Sequence, residues 1–144
     1  MRERRLRKFL IGVAGFAVAA GLGVTQAEAA ELKGGIKGEP DTTLRIQVKN
    51  IEGARYVTRI TFKDIPVQCE SGPGSTSGTG SAGEQGEPGL EVESRKFSGP
   101  WKFGEVKGKF KGGGKLTGTL SISEDAGAPQ GDCSSGKLDY VVRD

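Results

Sequence analysis

The two cysteines are the residues whose chemistry this sequence constrains most. Cys69 and Cys133 are the only thiols among 144 residues, and the chain has no histidine. Zinc sites and reactive thiols normally combine cysteine with histidine or use a CxxC spacing, and neither is present. In an exported chain an isolated pair predicts a disulfide. It would close a loop of 64 residues and contribute roughly 4 kcal/mol by restricting the unfolded chain.

Without histidine, hydrolytic chemistry would have to use carboxylates. Glu91 and Glu93 stand two apart on a predicted strand, so they share one face, as a glycosidase pair would. Leu90 and Val92 occupy the other face, which is the pattern of a half-buried strand carrying two solvated glutamates. A carboxylate-dependent hydrolase is therefore kept as a second alternative, and we expect the chain to be non-enzymatic.

Three acidic residues near the C-terminus could act as oxygen ligands. Glu124, Asp125 and Asp132 could hold a calcium ion between neighbouring loops. Acidic residues in a segment rich in glycine, alanine and proline are usually just solvated. We therefore predict no metal and no cofactor.

Aromatic and basic side chains give the remaining hints of a binding surface. Trp101 and Phe103 follow the Gly99-Pro100 break, and rings exposed on a β-sheet can stack on sugars. A lone tryptophan more often belongs to the core, so ligand binding by Trp101 and Phe103 is the first alternative. Lysines 107, 109 and 111 alternate onto the outward face of one strand. They could contact an anionic polymer, but the simpler interpretation is that they protect an exposed strand edge.

The first 29 residues predict an export signal. A basic start is followed by an apolar run over residues 9–24 and by the small-residue site Ala27-Glu28-Ala29, the pattern of a cleaved signal peptide. The run is shorter than the ~20 apolar residues of a spanning helix, so cleavage is favoured over an uncleaved anchor. We expect a protein secreted to the extracellular space or cell envelope, with no stable membrane insertion after cleavage.

Removing this segment changes the charge of the protein. It holds five of the 21 basic residues and two of the 18 acidic ones, which leaves 16 of each. Binding to nucleic acid requires a surplus of positive charge gathered on one face. A neutral mature chain therefore predicts no nucleic acid as partner, and its length fits one domain.

Period-two alternation dominates the mature chain and predicts an all-β fold. Residues 43–49 and 55–63 are predicted to form one hairpin and residues 106–110 and 116–122 another, and residues 137–143 are predicted to form a last strand. We expect a flexible N-terminal segment at 30–41 and one domain at 42–144. That domain is predicted to be a single antiparallel β-sandwich, or partly open barrel, of about seven or eight short strands. Residues 70–89, rich in glycine and serine, predict a mobile loop.

The last third carries a resemblance. Residues 106–110, 114–120 and 133–140 form a GxF, GxL and CxxG pattern that resembles small exported β-rich proteins of actinobacterial type, with Tyr140 where that pattern more often has tryptophan. The resemblance implies a fold and no site residues. We therefore expect a secreted, non-enzymatic binding or structural module whose partner is a cell-wall polymer or an extracellular protein.

Overall fold

Residues 29–144 form nine β-strands. The computed structural model describes residues 29–144, so the predicted signal segment lies outside the described residues except for Ala29. In chain order the strands are β1 (Ala30–Ile36), β2 (Glu39–Ile51), β3 (Ala54–Cys69), β4 (Gly72–Ser81), β5 (Leu90–Glu91), β6 (Lys96–Trp101), β7 (Gly104–Lys111), β8 (Lys115–Asp125) and β9 (Asp132–Arg143). One 3₁₀ turn, Gly112–Gly114, joins β7 to β8. The all-β prediction is confirmed.

The strands form one antiparallel sheet that curves round on itself. Its order is β4-β3-β2-β1-β9-β8-β7-β6, and the short β5 pairs with β3. The two ends of this order meet where Ala82 bridges Trp101 and where the Lys102 amide donates to the Ser81 carbonyl at 3.0 Å. A second closure joins β3 to β9 at Cys69 and Cys133. The fold is thus the barrel form of the predicted architecture.

Alternating side chains fill the interior. Leu44, Ile46 and Val48 of β2 are buried, as the sequence pattern predicts. All the remaining strands except β4 also contribute buried residues to this core. Tyr140 is fully buried in this core, and its hydroxyl donates to the Lys107 carbonyl at 2.9 Å. Burial of apolar surface is the main force that holds such a sheet closed.

Gly108 and Gly118 pair directly across β7 and β8. A Cβ on Gly108 would lie 2.8 Å from the Phe97 ring, and a Cβ on Gly118 would overlap the Lys107 carbonyl. The missing side chains therefore leave the space that the Phe97 ring and the Tyr140 hydroxyl occupy, which explains why glycine stands at two inward positions.

The N-terminal segment differs from its prediction. Residues 30–41, expected to be flexible, form β1 and the start of β2. Leu32 and Ile36 are buried, and the Ile36 amide donates to Thr42 Oγ1 at 2.9 Å. Gly34 stands between Leu32 and Ile36 and interrupts the apolar alternation in the sequence. It lies so close to β9 that a Cβ would overlap the Val141 carbonyl.

The segment expected to be a loop also differs. Within residues 70–89, β4 pairs with β3 from Cys69↔Gly72 to Arg59↔Ser81. Two of its glycines lie under larger side chains: a Cβ on Gly78 would lie 3.1 Å from the Phe62 ring, and one on Gly80 would lie 2.7 Å from Lys102 Cβ. Backbone hydrogen bonds and side chains from elsewhere in the chain therefore offset the conformational entropy that is lost when β4 becomes ordered. The small side chains of β4 alone could not offset this loss.

The predicted disulfide is confirmed. Cys69 at the end of β3 is bonded to Cys133 at the start of β9, and both residues are buried beside Val67. The bond joins two strands that also pair by backbone at this point. It therefore fixes the second closure of the sheet.

Candidate functional site

The residues that could bind a metal do not converge. Residues 29–144 contain no group of three His, Cys, Asp or Glu side chains placed to hold a metal ion. Glu124 instead accepts a hydrogen bond from Thr76 Oγ1 at 2.7 Å, and Asp125 accepts one from the Gly127 amide at 2.9 Å. Two of the three candidate calcium ligands, Glu124 and Asp125, thus accept hydrogen bonds within the fold.

Trp101 lies in an aromatic cluster of the core. Its side chain is 4% exposed, and its indole Nε1 donates to the Ser121 carbonyl at 3.2 Å. Its ring centroid lies 5.6 Å from that of Phe62 and 5.4 Å from that of Phe103, in the edge-to-face geometry that aromatic pairs favour.

Phe103 keeps the exposed surface of this cluster. It is half-buried, and Lys102 Nζ lies 5.4 Å from its ring centroid, within cation–π range. Ligand binding by Trp101 and Phe103 stays a prediction. The surface that such a ligand would contact belongs to Phe103 and Lys102.

Glu91 and Glu93 are both exposed. Glu91 pairs with Tyr56 of β3, and Glu93 forms a backbone bridge with Lys96. In a glycosidase pair the acid is normally desolvated while its partner stays solvated. Two equally exposed carboxylates lack this difference in environment.

A groove lies on the outer side of β6, β7 and β8. It is shallow and open to solvent, with a volume of about 610 Å³. Its lining combines charged and hydroxyl side chains with the main chain of the glycine pair: Glu91, Glu93, Lys96, Phe97, Ser98, Lys107, Gly108, Lys109, Thr117, Gly118 and Thr119. We call it the glycine groove.

Strand register sets the arrangement of the glycine groove. Gly108 pairs with Gly118 and Phe97 pairs with Gly108, which forms a central row. On one side of it Lys107 pairs with Thr119, and on the other Lys109 pairs with Thr117. Because the central row presents no outward side chain, the groove has a main-chain floor between two polar walls.

The lysines of β7 do not protect an edge. β7 pairs with β6 on one side and with β8 on the other. A strand paired on both sides presents no free ladder of amides and carbonyls. The edge-protection interpretation is therefore wrong, and Lys107 and Lys109 are wall residues of the glycine groove.

Several lining residues were not singled out from the sequence. Thr117 and Thr119 face Lys109 and Lys107 across the predicted hairpin, so its register could have indicated them. Lys96 and Ser98 join them only through β6. The sequence predicts a strand break at Gly99-Pro100, but that prediction is wrong, since both residues lie within β6 and pair with β7.

Comparison with known proteins finds no matching family model, no significantly similar curated protein and no significantly similar solved structure. The resemblance to exported actinobacterial proteins stays a prediction. Residues 29–144 contain no helix long and apolar enough to cross a membrane.

Proposed function

We propose that this chain is an exported, non-enzymatic binding module of the cell envelope or extracellular space, whose ligand lies in the glycine groove. The observation that carries this proposal is the groove of about 610 Å³ between two polar walls. Neighbouring ammonium, hydroxyl and carboxylate groups can bind a molecule rich in hydroxyl groups. The ligand class that fits best is a saccharide.

The disulfide supports the exported setting. The Cys69–Cys133 bond is typical of proteins that work in an oxidising compartment outside the cytoplasm. The signal-like segment ends at Ala29, and β1 begins at the next residue. N-terminal sequencing of the exported protein is expected to begin at Ala30, and a sequence that begins at Met1 would contradict cleavage.

The binding experiment compares two double variants. Lys107→Ala with Thr119→Val removes one polar side chain from each of two neighbouring strands in the groove wall. Lys63→Ala with Thr79→Val makes the same chemical changes at exposed positions of β3 and β4. Glycans selected on an array with the wild-type protein are then titrated calorimetrically, and we expect at least tenfold weaker binding only for the first variant. Equal glycan affinities of the two variants would exclude the glycine groove as the binding site.

Incubation of the protein with the same glycans distinguishes a binding protein from a hydrolase. We expect their mass spectra to be unchanged after long incubation with the protein. Cleavage that disappears in Glu91→Gln or Glu93→Gln would instead support the hydrolase alternative.

A further inference from the structure

Five basic residues form a continuous line across five neighbouring strands. Lys111 of β7 pairs with Lys115 of β8, and Lys115 pairs with Arg143 of β9. Arg143 pairs with Lys33 of β1, and Lys33 pairs with Arg45 of β2. We call these residues the basic row.

The basic row is costly to the fold. Directly opposed like charges on neighbouring strands are destabilising, and this row contains four such pairs in succession. Arg45 Nη1 lies 3.8 Å from Glu31 Oε1, in a pair with both side chains nearly half exposed. Within residues 29–144 no carboxylate lies within salt-bridge distance of the other four cations. Folding alone gives no reason for this arrangement.

Charge is separated along the two strands at the centre of the row. At one end of the β8–β9 pair Arg143 faces Lys115, and at the other end Asp132 faces Asp125. Like charges are thus paired with like at both ends. The zero net charge inferred from composition conceals a surface on which positive charge is gathered, which is the condition for binding an anionic partner.

We infer that the basic row binds a linear, non-aromatic polyanion of the cell surface, whose charges are phosphate or carboxylate groups. Neighbouring strands are about 4.8 Å apart, so five cations span roughly 19 Å across the sheet. A chain laid across the strands can place its anionic groups along that line. Guanidinium groups at Arg143 and Arg45 suit both kinds of anion because they can bind either one through two parallel hydrogen bonds.

The composition of the row favours a non-aromatic polymer over a nucleic acid. Single-stranded nucleic acids are held by a basic groove together with aromatic side chains on which bases stack. All five residues of the basic row are lysine or arginine, and the outward line continues across β3 and β4 with Thr61 and Thr79. The row thus offers charge and hydroxyl groups without a stacking platform.

The test uses the full exported protein and two charge-matched double variants. Lys33→Gln with Arg143→Gln removes two cations from the basic row. Lys49→Gln with Lys63→Gln removes two exposed cations elsewhere on β2 and β3. Binding of each protein to long-chain polyphosphate, polygalacturonate, single-stranded DNA of mixed sequence and neutral dextran is measured between about 50 and 200 mM salt, the range in which polyanion binding weakens steeply.

We expect the wild-type protein to bind polyphosphate, polygalacturonate or both, and not dextran. Comparison of these two polymers identifies phosphate or carboxylate as the recognised group. The basic-row variant should reduce the magnitude of the negative slope of log affinity against log salt by roughly two. The control variant, which loses the same net charge, should keep a slope close to that of the wild type. Proper folding of both variants is checked by their melting curves.

Other results would overturn the inference. Equal losses of polyanion affinity in the two double variants would show that net charge attracts the polymer without a specific binding site. Tighter binding to DNA than to either polymer would assign the row to nucleic acid, and salt-sensitive self-association without added polymer would assign it to the acidic end of a second copy. Unchanged glycan binding in the groove variant would reject the proposed function without bearing on the basic row, so the two proposals can fail separately.

Discussion

Tyr140 connects the hydrophobic core to the main chain that forms the floor of the glycine groove. Its hydroxyl lies in the space left by Gly108 and Gly118 and donates to the carbonyl of Lys107, a wall residue. The residue that fills the core thus also holds the main chain beneath the groove. Its burial raises the pKa of the phenol, because the phenolate would lose its hydration.

Addition of one methyl group tests this packing. Gly118→Ala is expected to destabilise the fold by about 1–3 kcal/mol or more, because the Cβ would overlap the Lys107 carbonyl. Gly112→Ala is the matched control, since a Cβ there meets nothing within 4 Å. Urea unfolding measures both variants, and equal stabilities would contradict the close packing of β7 on β8.

The raised pKa of Tyr140 predicts loss of stability in alkali. Because the phenol ionises more readily in the unfolded chain, the free energy of unfolding should fall as the pH rises above about 10, the ordinary pKa of tyrosine. The stability of Tyr140→Phe should depend less on pH in this range. Urea unfolding at several pH values between 8 and 11 compares the two proteins, and parallel curves would contradict the buried phenol.

At the scale of elements, alternation predicted strands well where apolar side chains carried it. The hairpins β2–β3 and β7–β8 are present as expected. Strict alternation over residues 55–63 would place Tyr56 and Thr58 on the inner face with Ile60. An irregularity between Gln47 and Val48 shifts the register, so Val57 is buried instead. A period of two changes face whenever one residue is inserted.

β4 could not be predicted from its own residues. Glycine, serine and threonine show no apolar period there, and the rings that cover Gly78 and Gly80 come from distant Phe62 and Phe103. Its strand conformation depends on pairing with β3, which no local pattern reveals. β1 was not predicted, for a related reason. It pairs with β9, so its partner lies at the opposite end of the described chain, where no local pattern can indicate it.

Reduction tests the element that joins β3 to β9. Opening the Cys69–Cys133 bond releases a loop of 64 residues, and the chain-entropy model predicts a loss of about 4 kcal/mol. The stability of the Cys69→Ser, Cys133→Ser double variant should match that of the reduced wild type in urea. Unchanged stability on reduction would show that the backbone pairing alone holds this closure.

At the scale of the whole molecule, closure of the sheet creates the candidate surfaces. Lys111 and Lys115 flank one turn, and their pairing follows from the predicted hairpin. Lys33 and Arg143 meet only because β1 pairs with β9. Composition reports the sum of charges, whereas the register of the closed sheet decides which charges are neighbours. The sequence therefore indicates the cysteines and lysines but not the surface that they help to form.

The most direct test of a binding module is amide chemical-shift mapping with polygalacturonate, which is both a saccharide and a polyanion. We predict shifts at the amides of Lys107 to Lys109 and of Thr117 to Thr119, which line the glycine groove, and at Lys33 and Arg143 of the basic row. Shifts confined to Trp101 and Phe103, or no shifts with any glycan or polyanion tested, would contradict the account.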